Sequence, residues 1–342
     1  MSKSQKSPVT IKTIASEMGL SFSTVAKALN EDPLIKEETR ARVQEKAAEM
    51  GYFPNVMARS LRNNSTKNIA LIFNDIENPS LAHIFGRITK EMGGHGYSTL
   101  ICDSQYDTAV EAHNISTVLS RKPEAVIISP VTSDPARLRL LKNMADRVIV
   151  LGDTLDGFQS NYVHVDYVLG GYISAKEMIE NGHTSNMVIT EPEYCPTCRQ
   201  FIQGVEKAYR EYGLSLDREM IYYCPPSIEN GRQYVMEQYG KGGSFTGVIT
   251  LCDALAYGVY KAAAMLGLTI PSDISVIGFD DYALSSFAMP PLTTVCLPTE
   301  RIAERCAEIL NTKLKGDSES TQIFSIEPHL VQRKSILKQY KE

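Results

Sequence analysis

The sequence predicts an all-α head, a helix-turn-helix followed by a short hinge helix, joined to an α/β core with parallel sheets. Residues 10–30 (TIKTIASEMGLSFSTVAKALN) place apolar residues at helical spacing on either side of a glycine. From Lys67 onward, apolar runs ending in Asn, Asp or Ser alternate with helical segments, the pattern of parallel sheets covered on both faces. At 342 residues the chain is long enough for two or three cores.

In the head, Ile11, Ile14, Ala15 and Met18 give a first helix one apolar face, and Gly19 tolerates the left-handed conformation that ends it. Ser21 suits the cap of a second helix, because its hydroxyl can accept from the free N–H groups of the first turn. Val25, Ala28 and Leu29 form that helix's buried stripe and leave Phe22, Ser23, Ala26 and Lys27 outward. Such a helix can enter the DNA major groove while the first crosses the backbone. An ordinary helical hairpin in a larger core is the alternative that this stretch alone leaves open. Ile35, Val43, Ala47 and Met50 supply the apolar side of a third helix, stopped by Gly51, with Glu37 and Glu38 at the positive end of its dipole. Pro54 then marks a boundary, Asn55 can cap, and about two helical turns fit before Asn63. So short a helix is marginal alone in water and needs a partner, either a second copy of itself or DNA.

Charge is divided unevenly. Residues 1–68 hold eleven Lys or Arg against seven Asp or Glu, while the whole chain carries −5. A basic head on an acidic body is expected when only the head meets phosphate. The polar start MSKSQKSP is not followed by an apolar run, so no signal peptide is expected, and no stretch approaches a membrane span. Seven cysteines dispersed through a long chain do not resemble a secreted disulfide scaffold. A cytoplasmic protein without membrane contact follows as the expectation.

In the body, NIALIFND (68–75), STLICDS (98–104), EAVIISP (124–130) and RVIVLGD (147–153) read as buried strands ending in polar residues. MVITEP (187–192), IYYC (221–224), GVITLCD (247–253) and ISVIGFDD (274–281) continue the series, and IFGRITKEMGGHGY (84–97) is an amphipathic helix closed by glycines. Ligands of such sheets bind outside the carboxyl ends of the strands, where these polar residues collect.

VTIKTIA (9–15), the G-L-S-x-x-T-V turn, EETR…EMGY and P-N-x-x-A-R-S-L (54–61) resemble the DNA-binding head of the lac repressor family of bacterial transcription regulators, without gaps from Val9 to Leu61. Gly182-His183, D-A-L-A-x-G (253–258), P-S-D-I-S-V-I-G-F-D-D (271–281) and PPLTTV (290–295) resemble the two-lobed, periplasmic-binding-protein-like sensor core of the same family. The resemblance implies a ligand-responsive, sequence-specific repressor that binds double-stranded operator DNA, a palindrome, as a homodimer. A small-molecule effector, by family default a carbohydrate, would sit between the lobes. The implied domains are a head at 1–53, a hinge helix and linker at 54–66, and a core at 67–342. One lobe would take about 67–162 and 294–322, the other about 163–292 and 323–342, with crossings near Asn161–Val165, Pro291–Thr294 and Ser320–Ser325. The C-terminal ILKQYKE is too short for added tetramerising heptads, which favours a dimer.

Carried over by position, the resemblance implies base reading by Phe22, Ser23 and Lys27, and phosphate or backbone contact by Thr24, Asn30 and Arg59. Thr10, Ser21, Asn55 and Ala58 complete the implied DNA-binding set, and Leu61 takes the place of the wedge that kinks DNA from the minor groove. In the core, Asp280 matches the effector-contacting aspartate and Asp253 the acid that ends the preceding strand. Asp75 closes the first strand and Asp153 roughly matches a ligand acid. Strand-end acids also cap helices; their common location favours the ligand role, most firmly for Asp280.

Several positions depart from the family pattern. Ala26-Lys27 stands where a Ser-Arg pair is usual, and lysine is a flexible point donor rather than a fork for guanine, so the operator should differ at that base pair. Lys36 replaces a serine cap, which should weaken the third helix by roughly 0.5–2 kcal/mol. The arginine of an R-x-x-G-F motif is replaced by Phe201, three residues before Gly204; Arg199, five before, is the candidate substitute. Asn78-Pro79 leads to Ser80-Leu81 rather than an aromatic, and Cys296-Leu297 follows PPLTTV, so polar partners for sugar hydroxyls are thinned.

Six cysteines (Cys102, Cys195, Cys198, Cys224, Cys252 and Cys296) fall on segments expected to border the cleft. Cys195 and Cys198 form a C-x-x-C, which a redox pair or half of a metal site would use, although cysteine is also a common small buried hydrophobe. The competing readings are therefore a thiol or metal sensor, a cleft enzyme or solute receptor, and a structural DNA-binding protein. No catalytic residue, cofactor or metal ligand is expected: no nucleophile–base pair stands out, and GGHGY and GKGGS lack the spacing of nucleotide-binding loops.

Overall fold

The computed structural model describes residues 9–52, 65–316 and 321–339. The chain divides into two compact units, Met1–Thr66 and Lys67–Glu342.

The first unit contains α1 (Ile11–Met18), α2 (Phe22–Leu29) and α3 (Glu37–Glu49). Thr10 and Thr13 cap α1 reciprocally, each backbone N–H donating to the other's hydroxyl over 3.3 Å. Gly19 ends the helix at φ +64°, and Ser21 caps α2 by accepting from the Thr24 N–H at 3.0 Å. Lys36 offers α3 no side-chain cap, as its chemistry requires. Ile14, Val25, Ala28 and Val43 are completely buried together, so three helices too short to persist alone hold one another. The hinge helix expected at 54–62 lies outside the described residues.

The second unit holds two six-stranded sheets. The first comprises β1 (Asn68–Phe73), β2 (Ser98–Asp103), β3 (Ala125–Ile128), β4 (Val148–Leu151), β5 (Asn161–Val165) and β11 (Ile323–Ile326), in the order β11-β5-β4-β3-β1-β2, all parallel. The second comprises β6 (Asn186–Thr190), β7 (Ile221–Tyr223), β8 (Gly247–Thr250), β9 (Ser275–Asp280), β10 (Thr293–Cys296) and β12 (His329–Val331), in the order β12-β10-β9-β8-β6-β7. Only β12 runs antiparallel, against β10. The crossover helices are α4 (Pro79–Gly94), α5 (Thr108–Ser120), α6 (Tyr167–Glu180), α7 (Pro196–Glu211), α8 (Ile228–Gly240), α9 (Asp253–Leu266) and α10 (Thr299–Leu314), with a 3₁₀ segment, Pro135–Arg147, after β3. They cover both faces, which is why Ile69–Phe73 is buried at every residue.

The chain leaves the first sheet after β5, returns after β10 and leaves again between β11 and β12. Residues 163–165 and 323–326 therefore belong with the first lobe, and 294–296 with the second, the reverse of the sequence-based division. The reason is physical: a parallel strand pairs along its length before the backbone can cross, so motif boundaries placed inside the strands fell a few residues early. Helices α6 and α7 approach at Gly171 and Gly204; a Cβ on Gly204 would lie 2.0 Å from the Val168 carbonyl oxygen. Among the described residues, no helix is long and apolar enough to cross a membrane.

Candidate DNA-reading head and ligand cleft

On α2 the apolar stripe faces α1 and α3, leaving Ser21, Phe22, Ser23, Lys27 and Asn30 exposed and Thr24 half-buried. Phe22 is 53% exposed, although burying a phenylalanine is worth about 1.5–3 kcal/mol. Thr10 and Ser21 are engaged as caps, and the Asn30 amide donates back to the Ala26 carbonyl to close α2. Phe22, Ser23 and Lys27 thus form the outward face, on a helix whose ends are fixed by its neighbours. Asn55, Ala58, Arg59 and Leu61 lie outside the described residues.

In the core, two adjacent cavities, one larger than the other, share Asn74, Ser129 and Thr197. Tyr106, Tyr167, Glu191 and Asp280 line the larger, and Ser133, Asp153 and Cys195 the smaller. These residues follow the carboxyl ends of strands from both sheets, where a doubly wound fold leaves its ligand crevice. A bigger, open groove lies between α4 and α10, lined by charges of both signs, and no strand end reaches it.

The lobes are tied across this cleft. The Tyr106 phenol donates to Glu191 Oε1 at 3.1 Å, and the Tyr194 phenol donates to the Tyr106 carbonyl at 3.0 Å. Arg199 Nη2 donates to Ser133 Oγ at 2.6 Å, and the Gln200 amide donates to the Asp153 carboxylate. Asp153 also has His164 Nδ1 3.1 Å away, an ion-pair distance without hydrogen-bond alignment. That carboxylate holds the imidazole above its usual range.

The acids are strongly perturbed. Burial pushes Asp280 well above the carboxylate range, the charges of Asp253 and Glu191 add to it, and a hydrogen bond with Tyr282 offsets it in part. Burial also raises Glu191, against hydroxyl donors from Thr197 and Tyr106 and with a further push from Asp75. Asp280 and Asp281 have φ values of +100° and +59°, unusual for residues with a side chain. Arg333 holds the turn by donating to Asp281 Oδ1 at 2.7 Å and to the Leu292 carbonyl at 2.9 Å.

The family model of bacterial regulatory proteins, lacI family, matches residues 10–55, and that of a periplasmic binding protein-like domain matches residues 175–336. Residues 10–55 are thus a head of the lacI family. It is 28% identical over 337 residues to the HTH-type transcriptional repressor PurR of Aliivibrio fischeri, covering 97% of this chain and 99% of that one. It is 29% identical to the transcriptional regulator DegA of Bacillus subtilis over 95% of this chain and 97% of its relative. The crystal structure of the lac repressor dimer bound to operator and the anti-inducer ONPF shares the fold, with TM-score 0.83, 21% identity, and coverage of 97% of this chain and 100% of that one.

Within the core, two of the five expected effector residues line the cavities, and the other three take differing roles. Asp280 is buried and lines the larger cavity, and Asp153 lines the smaller. Asp75 is half-buried behind them, accepting from the Glu77 N–H at 2.9 Å. Arg199 is exposed and directed at Ser133. Asp253 lines neither cavity: it is completely buried and accepts from Tyr282 N at 2.8 Å, Thr294 Oγ1 at 2.7 Å and the Ser285 hydroxyl. Burial lifts it to about 6 despite those donors.

Sequence reasoning missed Glu191, Tyr106, Tyr167 and Asn74. Glu191 directly follows β6, so the strand-end rule already held the signal for it. Tyr106 was invisible because its position depends on a loop with positive φ at both Gln105 and Tyr106. Of the six cysteines expected along the cleft, only Cys195 and Cys252 line the cavities. Cys198 and Cys224 are buried in the second lobe, and Cys102 and Cys296 are half-buried beyond the cavities. Burial pushes Cys198 to about 11 and Cys224 to about 12, which keeps both as unreactive thiols. Among the described residues no group of three His, Cys, Asp or Glu side chains is arranged to hold a metal. Neither the thiol or metal sensor nor the cleft enzyme is favoured by the relatives above, which are transcriptional regulators.

Proposed function

We propose that this protein is a cytoplasmic homodimeric repressor of the lacI family, whose two heads bind a palindromic operator under control of an effector in the inter-lobe cleft. The observation that carries the reading is the hydrogen-bonded seam across the cleft, from Tyr106 to Glu191 and from Gln200 to Asp153, in a chain that also bears an exposed reading helix. An effector that favours one lobe arrangement over another shifts the population, and operator affinity follows by linkage. The lac repressor neighbour is described as a dimer bound to operator and an anti-inducer, which supports the same assembly here. Phe22, Ser23 and Lys27 read bases in this account, while Thr10, Ser21, Thr24 and Asn30 position the helix, and Asn55, Ala58, Arg59 and Leu61 serve the hinge. Asp280 and Asp153 contact the effector, with Asp75 and Arg199 at its margin.

A dimer face is available on the second lobe. Leu284, Phe287 and Met289 are 66%, 79% and 87% exposed, and Tyr260 of α9 anchors their loop by donating to the Pro290 carbonyl at 2.9 Å. Ile228 and Met265, at the start of α8 and the end of α9, are also exposed. Such a patch marks a protein contact. Sedimentation of the full chain, paired with DNA-binding anisotropy, tests the proposal. Phe287→Asp should yield a folded monomer with at least tenfold weaker operator binding; a variant that stays dimeric, or a monomer that binds DNA unchanged, contradicts it.

A further inference from the structure

Among the described residues, the charged side chains lining the cleft are all acids. Among the described residues, no Lys, Arg or His lines either cavity, yet Glu191 and Asp280 face the larger and Asp153 the smaller. Asn74, which lines both, is about nine-tenths buried, and its side-chain oxygen accepts no hydrogen bond. A buried acceptor left empty costs about 1–3 kcal/mol, and an uncompensated buried carboxylate costs more. Asp153 has His164 beside it, but among the described residues no cation lines the cavity at Glu191 and Asp280. Phe201, wholly buried, packs edge-on against Phe279 with ring centroids 5.8 Å apart, and the guanidinium of Arg199 goes to Ser133. Thr197 and Tyr106 donate to Glu191, but neither brings charge.

Resting on the effector-cleft reading above, we propose that the effector is an organic cation: a small polar molecule whose protonated amine lies between Glu191 and Asp280 and whose other donor reaches Asn74. A neutral polyol would satisfy the acceptors without the added attraction of two acids for a cation; an anion would meet no cation in the cavity lining. The aromatic rings of Tyr106 and Tyr167 beside the acids suit the same ligand, since a ring face attracts a cation. Burial and mutual repulsion favour proton uptake by the two acids in the empty cleft, so a bound ammonium displaces those protons rather than meeting two free charges.

Matched pairs provide the test. Thermal shift and calorimetry on the full chain would compare glucosamine with glucose, galactosamine with galactose, and putrescine with 1,4-butanediol. The sugar and alkyl arms separate the two sources of an amine. The proposal expects at least one amine to bind tenfold or more tighter than its neutral partner, and Glu191→Gln, with Asp280→Asn as a second variant, to remove that preference. It is overturned if a neutral sugar binds as tightly as its amine, which leaves the regulator reading intact. It is also overturned if no amine in the panel binds. Failure of the regulator reading itself would appear separately, as absence of sequence-specific DNA binding by the same preparation.

Discussion

Tyr106, carried by the loop after β2, donates its phenol across the cleft to Glu191, at the carboxyl end of β6, over 3.1 Å. One bond thereby joins the two lobes at the larger cavity itself. A double-mutant cycle with Tyr106→Phe and Glu191→Gln, read by urea unfolding, should show a coupling of about 0.5–3 kcal/mol. Strictly additive single effects would mean that the contact does not hold the lobes.

Asp253 gives a pH signature. Its folded pKa, about 6, lies above the ordinary aspartate value of 3.8. The folded state thus holds the proton more tightly than the unfolded chain. The stability so gained is fully present below pH 3.8 and is lost as pH rises through 6. Asp253→Asn cannot lose it, so the stability of wild type minus that of the variant should fall from pH 4 to pH 7 and then level off. Unfolding curves for both proteins across that range check this, and a difference that stays constant or rises with pH is the contrary result.

The helix crossing at Gly204 offers a packing test. A methyl group there meets the Val168 carbonyl, a backbone atom that cannot swing away. Gly204→Ala should cost about 1–3 kcal/mol, the usual range for overpacking. Gly94, at the end of α4 with open space around it, provides the control and should tolerate alanine.

The fold and the site were not equally legible. Strand runs such as Ile69–Phe73 announce themselves because burial on both faces forces continuous apolar residues, and the caps of α1 and α2 follow from hydroxyl chemistry at fixed offsets. Asp280 could be named from its place at a strand end. Asp253 shares that place but turns inward, because Gly278 leaves room for its carboxylate; a Cβ there would sit 2.1 Å from Asp253 Oδ1. No sequence rule separates those two outcomes. Nor does spacing reveal that Arg199 would reach Ser133, 66 residues away, instead of the acids.

Lys36 leaves the start of α3 without a side-chain cap. Lys36→Ser should stabilise the head by about 0.5–2 kcal/mol, measured by thermal unfolding of the full chain followed at the first transition. An unchanged or lowered stability would show that the lysine serves a purpose the helix start does not reveal.

The central claim, sequence-specific control of DNA by a dimer, is tested most directly by selecting fragments from a randomised duplex library with the full chain and sequencing what is retained. Enrichment of an inverted repeat with two equal half-sites is expected, and Lys27→Ala should relax preference at one symmetric base pair, costing about 1–3 kcal/mol. Retention without sequence preference, or of a single half-site with no repeat, would contradict it.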